Sequence, residues 1–108
     1  MHERVSVNYS IGIWAHAEVP GGVVYRWEAD GGDSGTGFVL LDTAGNTVRP
    51  SDNEGQTVGT LVMDASTGDV TGEAPGVNRT TFVKTAAAVL KRYLAAGKAP
   101  ETAHTYYG

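Results

Sequence analysis

The sequence predicts an α+β fold: an antiparallel sheet of about five to seven strands with one long C-terminal helix packed on one face. Three observations predict it. Residues 4–19 alternate apolar and polar without a break, which is the period of a half-buried strand. From residue 20 to 76, short β-prone runs are separated by turns rich in Gly, Asn and Asp. Residues 78–97 carry the one clear helical period. A sheet with one apolar face needs a cover, and this helix is the cover the chain offers.

In the first strand Val5, Val7, Tyr9, Ile11, Ile13, Ala15 and Ala17 fall on one side. Ser6, Asn8, Ser10, Gly12, Trp14, His16 and Glu18 fall on the other. Pro20-Gly21-Gly22 turns the chain, and residues 23–29 return with Val23, Tyr25, Trp27 and Ala29 inward. Pairing odd with odd places Ala17 near Tyr25 and Ala15 near Trp27, small against large. On the outer face the same register places His16 near Arg26 and Trp14 near Glu28.

Residues 30–37 read as a polar, glycine-rich loop. Residues 38–42 are almost continuously apolar, as in a central strand. Thr43-Ala44-Gly45-Asn46 is a turn and residues 47–49 a short return strand. After a polar loop, strands are expected at 57–64 and 69–73, joined by the turn Ala65-Ser66-Thr67-Gly68.

The helix has its own boundaries written in. Phe82, Ala86, Val89, Leu90, Tyr93 and Leu94 form a stripe at spacings of three and four, widened by Val83 and Ala87. Asn78 caps the start, and Val77 with Phe82 forms a hydrophobic staple. Gly97 supplies a left-handed stop, and Pro100 prevents resumption. Leu90 and Tyr93 are expected to pack on Ile11, Ile13 and Trp27. Residues 102–107 read either as a last strand or as a disordered tail, and two tyrosines favour some burial.

The 108 residues fit a single domain, 1–108. The chain has no cysteine, so a disulfide framework and a thiolate zinc site are excluded. No basic segment followed by an apolar run opens the sequence, so no signal peptide is expected and a cytoplasmic address is. No apolar run is long enough to span a bilayer. The net charge of −4 is unevenly placed: residues 1–78 sum to −8 and residues 79–108 to +4. A basic nucleic-acid footprint is absent, and an acidic sheet half would steer a basic partner.

Two motifs look catalytic. Gly32-Asp33-Ser34-Gly35 matches the core of the nucleophile loop of trypsin-like proteases, but a triad needs a His base and an Asp orienter in a far larger fold. Leu40-Leu41-Asp42-Thr43-Ala44-Gly45 resembles the hydrophobic-pair-Asp-Thr-Gly motif of retroviral-type aspartic proteases. Ala44 replaces that glycine, no glycine-rich flap follows, and the helix is too long for that fold. A strand-turn aspartate is the plainer reading. His16 and Glu18 could be half a metal site, but no third ligand is visible; His2 and His104 are terminal. No catalytic group, cofactor or metal is expected.

Residues 86–107, AAAVLKRYLAAGKAPETAHTYY, resemble the C-terminus of immunity proteins of bacterial polymorphic toxin systems. In that family an aromatic-Leu pair is followed by Thr-Gly, a basic residue, Pro and a strand ending in Trp. Tyr93-Leu94, Gly97-Lys98 and Pro100 match; Ala96 departs from the threonine, and Tyr106-Tyr107 stand where Trp is usual. The resemblance implies a non-enzymatic protein-binding module that neutralises a cognate toxin, with no nucleic-acid or membrane partner. The expected partner-binding residues are Trp14, His16, Glu18, Arg26, Glu28, Asp30 and Asp33, the outer face of the first hairpin with its acidic loop. The alternative is a homo-oligomeric accessory protein, such as a homodimer, pairing through the Trp14 face; a retropepsin-like protease comes third.

Overall fold

The computed structural model of the chain describes residues 9–107. The expectations for residues 1–8, and for burial of the Tyr106 and Tyr107 side chains, lie outside what is described. The element order is β1 (Tyr9–Val19), β2 (Gly22–Ala29), a short 3-10 turn (Asp30–Gly32), β3 (Thr36–Asp42), β4 (Thr47–Ser51), β5 (Val62–Asp64), β6 (Val70–Thr71), α1 (Arg79–Ala96) and β7 (Thr102–Tyr107). The seven strands form one antiparallel sheet in the order β6-β5-β4-β3-β2-β1-β7. β1 to β6 are therefore a meander. The helix then carries the chain back across one face to the far edge, where β7 pairs with β1.

Both helix ends are pinned. Asn78 accepts a hydrogen bond from the Thr81 amide (3.0 Å), and Gly97 takes φ 74° while its amide donates to the Tyr93 carbonyl. The Arg79 guanidinium donates to the Gly72 and Val70 carbonyls at 3.1 and 3.3 Å, tying the start to β6. At the other end the Tyr25 hydroxyl donates to the Pro100 carbonyl, tying the exit loop to β2. Between them Phe82, Ala86, Val89 and Leu90 join Ile11, Ile13, Tyr25, Val39, Leu41, Val48 and Met63 in one core, with Trp27 and Tyr93 partly buried against it.

The helical stripe is narrower than expected. Leu94 is 61% exposed. At 3.6 residues per turn it stands well to the side of the line through Phe82, Ala86, Val89 and Tyr93.

The first hairpin departs from the expected register. Ile13 faces Trp27, Trp14 faces Arg26 and Ala15 faces Tyr25, a shift of two residues. Two causes add. Val19 pairs with Gly22, so the turn is only Pro20-Gly21. His16 is an extra residue on β1: Ala15 faces Tyr25, yet Ala17 already faces Val24. Beyond this bulge the faces exchange. Ala17 and Val19 move to the outer side, and Glu18, opposite Val23, moves to the helix side.

β5 and β6 are shorter than the expected 57–64 and 69–73. Gly59 and Gly72 both take positive φ, and a β-carbon on Gly72 would lie 2.2 Å from the Thr60 carbonyl oxygen. The Thr60 amide still donates to the Glu73 carbonyl at 2.7 Å, but the Glu73 amide goes to Thr60 Oγ1 at 3.1 Å, and the regular ladder stops.

Candidate interaction surface

The sheet face away from the helix is built from the alternate residues of β1, β2, β3 and β7. At its centre Trp14 stands between Arg26 on β2 and Thr102 on β7. Its six-membered ring occupies the space above Gly12: a β-carbon there would lie 2.7 Å from Cη2, 3.1 Å from Cζ2 and 3.4 Å from Cζ3. The missing side chain at residue 12 lets the ring lie down on the strand. Trp14 is nonetheless 44% exposed.

Arg26 is engaged elsewhere. Its Nε and Nη2 both donate to Glu28 Oε2, at 3.2 and 2.8 Å. Its Cζ stands 6.0 Å from the centroid of Phe38, its neighbour on β3. His16, displaced by the bulge, packs on the same ring with centroids 5.0 Å apart and a 59° tilt. Trp14, His16, Arg26 and Glu28 therefore share one face, as the alternation implied. Phe38 and Gly12 belong to it too, with His104 opposite Gly12 on β7. The even position of Phe38 opposite Arg26 was a signal for it, but the unbroken apolar run 38–42 hid which side it faced. Nothing in the alternation marked Gly12 as a floor for a ring.

The acidic residues divide. Asp30 adopts φ 56°, and its carboxylate accepts from the Ser10 amide (3.2 Å) and from Ser34 Oγ (2.6 Å). It locks the 3-10 turn to β1. Asp33, at the end of that turn, is exposed. Glu18 is not with them: it lies on the helix side, lining a groove of about 640 Å³ with Lys98, Pro100 and Glu101. In its place the loop Asp52–Gln56 brings Asp52 and Glu54 to the outer side. A β-carbon on Gly55 would lie 3.3 Å from Val24 and 3.5 Å from Val19, so this loop covers Val24, which is fully buried. The exposed cations Lys84, Lys91 and Arg92 sit on α1, against the opposite face. The sheet thus separates an acidic side carrying Trp14 from a basic side carrying the helix.

The catalytic look-alikes have structural work. Ser34 Oγ donates to Asp30, and Asp42 Oδ1 accepts from the Gly45 amide at 2.7 Å, closing the β3–β4 turn. Among the described residues no group of three or more His, Asp or Glu is placed to hold a metal ion. Among the described residues no helix is long and apolar enough to cross a membrane. Burial pushes the Tyr25 hydroxyl up to about 12.

Comparison of the chain with protein-family models, with curated proteins and with solved structures gives no match.

Proposed function

We propose that the chain is a small, non-enzymatic protein-binding module that works through the outer face around Trp14. The carrying observation is the ring itself, laid on Gly12 with 44% of the residue open to solvent. A large, rigid, amphipathic side chain in the middle of a polar face is the usual anchor of a protein interface. The acidic groups on the same side of the sheet, Glu28, Asp52 and Glu54, favour a basic partner and speed encounter with one. The immunity-protein resemblance of residues 86–107 gives that partner a class: a cognate toxin, bound tightly enough to block its active site or substrate path. Its place of action is then the cytoplasm, and a cysteine-free chain suits a reducing compartment.

The test is to look for a basic protein encoded by an adjacent gene and to titrate the purified chain with it. Tight one-to-one binding is expected, with an association rate that falls as salt rises. Asp33→Asn should slow association and leave dissociation nearly unchanged, because Asp33 is exposed and makes no side-chain bond among the described residues. Absence of binding, or an association rate indifferent to salt, counts against the reading.

A further inference from the structure

Resting on the protein-binding reading above, we infer that the open side of the Trp14 ring receives a lysine or arginine side chain of the partner. An aromatic face carries negative charge, and tryptophan attracts cations more strongly than the other rings. Among the described residues, the cation beside the ring on the neighbouring strand is engaged elsewhere. Arg26 is the cross-strand neighbour of Trp14, yet it is tied to Glu28 and stands over Phe38. Glu28 therefore has two effects: it adds negative charge to the face and it holds Arg26 off Trp14.

The surroundings select the sign of the ligand. Glu28 and the loop carrying Asp52 and Glu54 lie on the outer side against Arg26 and Arg49, while Lys84, Lys91 and Arg92 lie behind the sheet. A base of a nucleic acid would also stack on an indole, but its phosphates would meet net negative charge here. A partner cation meets attraction from both the ring and the acids.

Gly12 is the positioning residue. It has no positive φ, so a side chain at that position is compatible with the backbone but not with the ring above it. A β-branched residue there would suit the strand and lift the indole off its floor.

The experiment follows the indole N–H signals of Trp14 and Trp27 in the full chain by NMR. The probes are acetyl-Gly-Arg-Gly-amide, the same peptide with neutral citrulline in place of arginine, and a thymidine hexanucleotide. The arginine peptide is expected to shift the Trp14 signal and leave Trp27 still, with the citrulline peptide weaker by about threefold. Arg26→Gln should hold or tighten that affinity. Gly12→Val should remove it while the unfolding midpoint stays at or above that of the parent. Equal response to the neutral peptide, a shift with the oligonucleotide, loss of affinity in Arg26→Gln, or no shift with any probe would overturn the assignment. The broader surface reading is scored separately, by whether Trp14→Ala loses the protein partner. A chain that binds its partner through Trp14 but shows no preference for the charged peptide fails here and not there.

Discussion

The hydroxyl of Tyr25, buried in the middle of β2, donates to the carbonyl of Pro100, 75 residues further along the chain. This bond holds the exit of the helix against the sheet and so delivers β7 to the edge of β1. Tyr25→Phe leaves the Pro100 carbonyl without its donor and should cost about 1–3 kcal/mol. Alkaline pH should act through the same group. Its pKa is raised from 10.0 to about 12, so the unfolded chain releases the proton first. Stability from this group is intact below pH 10 and is lost as pH rises toward 12, by up to about 1.4 kcal/mol per pH unit. Denaturant titrations from pH 9 to 12 should show this loss in the parent and not in Tyr25→Phe. Identical pH profiles would mean the hydroxyl is not held as described.

Thr85 lies fully buried on α1, and its Oγ1 is the one buried side-chain polar atom without a partner among the described residues. Thr85→Val keeps the shape and removes the stranded hydroxyl, so it should stabilise the fold by about 1 kcal/mol or more. Leu90→Ala, a few residues on, should cost about 2–5 kcal/mol because it empties part of the same core. Chemical denaturation reads both. A destabilised Thr85→Val would show that the hydroxyl is satisfied in solution, and a loss below about 1 kcal/mol in Leu90→Ala would show that the helix is not the cover of the sheet.

Asp42 sits in the sequence that most resembles a protease motif, and the structure gives it a turn to close. Asn keeps an oxygen that can accept from the Gly45 amide, so Asp42→Asn should change stability by less than about 0.5 kcal/mol and leave partner binding intact. Cleavage of any peptide by the parent chain, sensitive to pepstatin and lost in Asp42→Asn, would contradict the assignment.

How legible these features were depends on how local their causes are. Asn78 and Gly97 act within one turn of the helix, and each does in the structure what its residue type implies. The strand-rich body follows equally from local period and composition, whereas at residues 102–107 a strand and a disordered tail were both open until pairing with β1 decided for the strand. The outer face was legible as far as Trp14, His16, Arg26 and Glu28, because alternation alone sorts them. The bulge at His16 was not, since an extra residue leaves the pattern of β1 unchanged until its partner strand is known. That one residue is why Glu18 lies on the other side of the sheet. Asp30 reads as a surface acid, and only the folded chain brings the Ser10 amide to it. Gly12 and Trp14 are two residues apart, yet their relation depends on a rotamer that no sequence period encodes.

The most direct test is a paired measurement on Trp14→Ala, with partner affinity by titration and unfolding free energy by denaturant, on a protein whose mass is followed by sedimentation. A monomer is expected before and after the change, with stability within about 0.5 kcal/mol of the parent. Partner binding should weaken by about 2 kcal/mol or more. A parent dimer that becomes monomeric in Trp14→Ala would transfer the surface to self-association. A variant that unfolds would place the ring in the core and contradict the account outright.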